Sequence, residues 1–114
     1  MKNGGILEIN QHVYKDAIIF FANNLKSTLS DNLIQIILFG SQARGESNKD
    51  SDYDFLVILK KKDKEFIKKL RAVELNFMDT FDSLAACLVY EETEWEKRKN
   101  FPIGKNIRRE GIIL

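Results

Sequence analysis

The sequence predicts one α/β domain. Three observations carry that expectation. Residues 11–29 and 60–77 place apolar side chains at three- and four-residue steps, the period of an amphipathic helix. The runs "LIQIILF" (33–39), "YDFLVIL" (53–59) and "SLAACLVY" (83–90) are short and rich in apolar residues, like strands in a buried sheet. Glycine and polar residues separate these stretches, which gives the order α-β-β-α-β with a trailing piece.

Each element follows from its residues. "MKNGG" opens a stretch, residues 1–10, expected to be a flexible tail, with the domain occupying 11–114. In the first helix Tyr14, Ile18, Phe21, Leu25 and Leu29 form the apolar stripe, and Lys15, Asn23 and Lys26 lie off it. The first strand ends at Gly40, and residues 41–51 are polar, fitting a turn of helix and a loop. The second strand follows. The second helix carries Phe66, Leu70, Val73 and Phe77 on one stripe, and its many lysines read as a solvated face. After the third strand, "EETEWEKRK" reads as a short helix. Pro102 then interrupts the chain, "GKNIRRE" offers one more helical turn, and "GIIL" a last short strand.

The totals exclude several classes. The 114 residues suit one domain with a real core. A net charge of +1 gives no strong field for nucleic acid or membrane, so neither is expected as a partner. One cysteine, Cys87, excludes an intrachain disulfide and fits a reducing, cytoplasmic setting. No signal-peptide layout is recognisable, and no apolar run reaches the ~18 residues of a spanning helix. The single histidine, His12, argues against a His-rich metal site and reads as a surface residue near a helix start.

The chemistry concentrates in "LFGSQARGESNKDSDYDFLVIL", residues 38–59. Side chains alternate along a strand, so Asp52 and Asp54 project from one face. Two close carboxylates repel by roughly 1 kcal/mol in water and about 4 kcal/mol near a protein surface. A hard divalent cation, Mg²⁺ or Mn²⁺, would relieve that repulsion and bind substrate phosphates as well. Gly40 permits close backbone approach, and Ser41 adds a hydroxyl where a helix would begin. Taken singly, Ser41 is also a helix cap, and the aspartates are also turn residues. The Gly-Lys-Ser/Thr element of a P-loop is absent.

At these residues the chain resembles the DNA polymerase β-like nucleotidyltransferases, and among them the small minimal nucleotidyltransferase (MNT) group, whose opening reads Gly-Ser-x-Ala-Arg-Gly. A weaker similarity reaches "VYEETEW" and "NIRREGIIL". The resemblance implies a nucleotidyltransferase fold, a mixed sheet with helices packed on it. It also implies Mg²⁺-dependent transfer of a nucleoside monophosphate from an NTP, ATP foremost. By match, Gly40 and Ser41 hold the terminal phosphates, and Asp52 and Asp54 hold metal. Arg44 matches a recurrent arginine, with a salt-bridged helix residue as the equal alternative.

The chain departs from the family pattern at one place. The family uses a third carboxylate on a later strand, which aligns here with Ala86. Asp82 is the nearest substitute, four residues earlier or about 13 Å along an extended strand. Glu91 and Glu92 read as acidic residues of a helix start. Members of this group resemble antitoxins paired with a helical HEPN ribonuclease, whose hydroxyl receives AMP. The short chain leaves little room for an acceptor-binding domain, which favours a protein acceptor. Two rivals stand beside that reading. One is a catalytically silent module that neutralises its partner by contact, which Ala86 favours. The other is an enzyme for small, aminoglycoside-like acceptors. Acceptor, base preference and oligomeric state stay open, an oligomer included.

Overall fold

A computed structural model describes residues 15–46 and 52–114. The expected tail (1–10), His12 and the first residues of the predicted first helix lie outside the described residues, as do 47–51.

Four strands form one mixed sheet in the order β3-β2-β1-β4. Helix α1 (Asp16–Leu29) leads through a 3₁₀ turn (Ser30–Asn32) into β1 (Leu33–Phe39), and α2 (Gly40–Arg44) follows at once. Strand β2 (Tyr53–Leu59) pairs antiparallel with β1, and α3 (Lys64–Phe81) carries the chain to β3 (Ala85–Glu91), which runs parallel to β2. Helices α4 (Glu92–Arg98) and α5 (Pro102–Glu110) then precede β4 (Ile112–Ile113), antiparallel to β1.

The strand alternation sorts the core into two clusters. Tyr53, Phe55, Val57 and Leu59 join Ile36, Leu38, Phe21, Leu25, Leu70 and Phe77 on the face covered by α1 and α3. Leu56 and Ile58 join Ile37, Trp95 and Ile107 on the face covered by α4 and α5. Buried on both faces, β2 needs apolar residues at nearly every position, which explains its unbroken run. Trp95 therefore packs into the core, stacked on Tyr90 at 6.2 Å.

The ends differ from the expected ones for local reasons. Helix α3 begins at Lys64 because Asp63 caps it, accepting the Phe66 N–H at 3.1 Å. It ends at Phe81, and Asp82 follows in the left-handed conformation at φ 52°. Asp82 is thus not on an extended strand with Ala86: it is an exposed helix-end residue, and β3 starts three residues later. Pro102 opens α5 instead of interrupting it, since the first turn needs no N–H there. Glu91 caps α4 in a reciprocal capping box with Glu94, as its place at a helix start implied. Cys87 is half-buried against the larger cluster, and burial, reinforced by Glu74, pushes its thiol pKa up. Glu74 also accepts the Cys87 backbone N–H at 3.2 Å. Among the described residues no helix is long and apolar enough to cross a membrane.

Candidate active site

The antiparallel register between β1 and β2 sets Phe39 opposite Asp54. The next residue, Gly40, turns the chain at φ +76°. A Cβ on Gly40 would lie 3.2 Å from Asp54 Cγ and collide with Oδ2. Only glycine meets both demands, the left-handed backbone and the carboxylate packed against it. The Gly-Ser pair and the second aspartate, fourteen residues apart in sequence, are therefore neighbours in space.

Asp54 has the strand parity of Leu56 and Ile58, so its side chain lies on the α4–α5 face. It is half-buried, whereas Asp52, just before β2, is exposed. Burial raises the Asp54 pKa above the ordinary carboxylate value, and the charge of Asp52 raises it further. The positive charge of Arg44 works in the opposite direction. A carboxylate pair in mutual repulsion is a donor set suited to a hard cation with oxygen ligands.

Ser41 is half-buried at the second position of α2. The residue before the helix is Phe39, which offers no capping side chain, so Ser41 does not occupy the cap position. The turn closes behind it, with Gly45 left-handed at φ 75° and the Glu46 N–H bonded to the Ser41 carbonyl at 3.0 Å.

Arg44 is ion-paired, to Glu46 at 2.7 Å and to Glu110 at 3.0 Å. Glu110 Oε1 also accepts the Gly40 N–H at 3.4 Å. Sequence reasoning missed Glu110. It stands 66 residues from Arg44, and no spacing rule connects the two.

Ala86 is the parallel partner of Asp54 on β3. Adjacent parallel residues share a face, so a methyl group stands beside the Asp54 carboxylate. Among the described residues no group of three or more histidines, cysteines or acidic residues is placed to hold a metal ion. A cation on Asp52 and Asp54 would take its remaining ligands from water and from phosphate.

Comparison with known proteins agrees with this geometry. The sequence profile described as nucleotidyltransferase domain matches residues 21–112. A Methanocaldococcus jannaschii protein named "Putative protein adenylyltransferase MJ0604" is 31% identical over 98 residues, which cover 86% of this chain and 94% of the relative. A second from that organism, MJ0141, bears the same description and is 32% identical over 77 residues, 64% of this chain and 75% of the relative. A crystal structure described as a toxin–antitoxin with AMP-PNP superimposes with a TM-score of 0.59 at 17% identity, over 82% of this chain and 68% of that one. A crystal structure of a mutant of the toxin–antitoxin MntA-HpeT gives 0.58, with the same identity and coverage. These two likenesses bear on the fold.

Proposed function

Because the chain belongs to the nucleotidyltransferase domain family, we propose that it binds ATP with Mg²⁺ and transfers AMP to a hydroxyl of a helical partner protein, as the antitoxin of an MNT/HEPN-type pair. One observation carries the nucleotide part of this reading. The fold packs Gly40 against the Asp54 carboxylate, which sets a turn suited to phosphate next to one member of a pair suited to metal. The protein acceptor is supported by relatives named as protein adenylyltransferases and by toxin–antitoxin structures of the same fold.

In the reaction the acceptor oxygen forms a bond to the α-phosphorus of ATP. The bridging bond to the β-phosphate breaks, pyrophosphate leaves, and the hydroxyl proton passes to solvent. Bound Mg²⁺ supplies charge neutralisation for the triphosphate. Ser41 donates its hydroxyl to a phosphate oxygen, and Gly40 lets the triphosphate approach the backbone. Asp52 and Asp54 are the residues that would hold the cation.

Ala86 favours a second reading, a silent module that binds ATP and neutralises its partner by contact. With a methyl beside Asp54, no third carboxylate joins the aspartate pair among the described residues.

The experiment combines the protein, the product of the neighbouring gene, labelled ATP and Mg²⁺, with intact mass measured on both chains. AMP on the partner supports transfer. ATP binding without transfer, rescued by Ala86→Asp, supports the silent module. ATP and Mg²⁺ at 100 times the dissociation constant should stabilise the fold by about 2.7 kcal/mol, and the double variant Asp52→Asn/Asp54→Asn should lose that gain. An unchanged melt of the unmodified protein at millimolar ATP would sink the nucleotide reading.

A further inference from the structure

Glu110 joins two groups far from it in sequence. One carboxylate oxygen accepts Arg44 Nη1 at 3.0 Å and the Gly40 N–H at 3.4 Å. Its side chain is 21% exposed, against 67% for Glu46, the other partner of Arg44. The backbone around Glu110 is anchored without it. Ile107, three residues earlier, is buried in the cluster around Trp95. Gly111 packs tightly enough that a Cβ would lie 2.5 Å from Ile37 Cγ2, and Ile112 pairs with Leu38 on β1. The carboxylate is thus delivered to a fixed place by helix and strand contacts in which it takes no part. A partly exposed ion pair adds little to stability, because solvent screens it. What remains for Glu110 is geometry, namely the direction of the Arg44 guanidinium and the seat of the Gly40–Ser41 turn.

We propose that Glu110 is a positioning residue of the nucleotide site, acting through Arg44 and Gly40. It ties the C-terminal helix to the turn that receives the triphosphate and fixes the direction of the Arg44 guanidinium. Without Glu110, Arg44 is left to Glu46, an exposed neighbour on the same turn, and follows that turn wherever it moves. This inference rests on the ATP-binding reading above.

The test is ATP titration with Mg²⁺ by calorimetry, beside denaturant melts, on the unmodified protein, Glu110→Ala, Glu110→Gln, Arg44→Ala and the double Arg44→Ala/Glu110→Ala. Glu110→Ala should weaken ATP about tenfold, the scale of a lost charge-assisted contact, with the denaturation midpoint little changed. Glu110→Gln keeps an acceptor oxygen for both donors and should recover most of the affinity. In the Arg44→Ala background, Glu110→Ala should weaken ATP much less, because most of its action runs through the arginine. Unchanged or tighter ATP binding by Glu110→Ala would overturn the proposal. So would equal weakening in the Gln and Ala variants, or additive losses in the double variant. Absence of ATP binding by the unmodified protein would defeat the nucleotide reading and this inference with it. Intact binding with an indifferent Glu110→Ala would defeat the inference alone.

Discussion

On one face of the sheet α1 and α3 bury Phe21, Phe55 and Phe77 completely, whereas on the other α4 and α5 close over a smaller cluster around Trp95 and Ile107. The same strand serves both. Alternate residues of β2 from Tyr53 to Leu59 feed the aromatic face. Leu56 and Ile58 feed the other, and Asp54 continues their row toward the open end. Strand parity divides the work: one face carries stability, and the second ends in charged groups that would weaken a full core.

That division can be broken by experiment. The largest effect is expected from Phe77→Ala, which removes a ring packed edge-to-face on Phe21 at 5.3 Å and on Tyr53 at 5.4 Å. It should cost about 3–5 kcal/mol in a denaturant melt and leave the ATP affinity of the folded protein unchanged. A matching loss of affinity would mean that the faces are not independent.

Gly40→Ala should act the other way round. Left-handed backbone for alanine costs about 1–2 kcal/mol, and the new methyl must displace Asp54. Stability should fall modestly while ATP binding is lost, read by melt and titration on one sample. Preserved affinity would show that the contact of Gly40 with Asp54 is not needed for the nucleotide.

The smallest effect sharpens the comparison through pH. The folded state raises the Asp54 pKa, through burial first and Asp52 second. A raised pKa gives stability that is full below the ordinary carboxylate value of ~3.9 and is lost as pH rises through the folded value. Asp54→Asn should therefore stabilise the nucleotide-free protein at pH 7, with the gain fading as pH falls into the ordinary carboxylate range. Equal stabilisation at pH 3 and pH 7 would exclude charge as its cause.

The strands were legible because their signal is local. Runs 33–39 and 53–59 match β1 and β2 to the residue, since burial makes each almost wholly apolar, with Gln35 and Asp54 the polar exceptions. The alignment of Ala86 with the family's third carboxylate agrees with its place as the parallel partner of Asp54 on β3. The start of α3 was misjudged because Lys60–Lys62 continue a helix-forming composition, and the Asp63 cap decides the boundary instead. Asp82 was measured along an extended strand because "FDSL" carries no mark of the left-handed residue that ends the helix. Glu110 was invisible for a different reason. Its meaning lies in a contact that only the packing of α5 creates, and a glutamate after two arginines reads as an ordinary helix end.

Sequence distance between the site's parts also orders their assembly. Gly40 and Asp54 close a loop of fourteen residues, whereas Gly40 and Glu110 close one of seventy. On the logarithmic scaling of loop closure the longer one carries about 1.4 kcal/mol more entropy cost. The glycine and its aspartate meet as soon as β1 finds β2, a local event in chain-entropy terms. Glu110 arrives when α5 docks and Ile112 and Ile113 complete the far edge of the sheet. Fraying of that edge would release Glu110 first and leave the older half of the site standing.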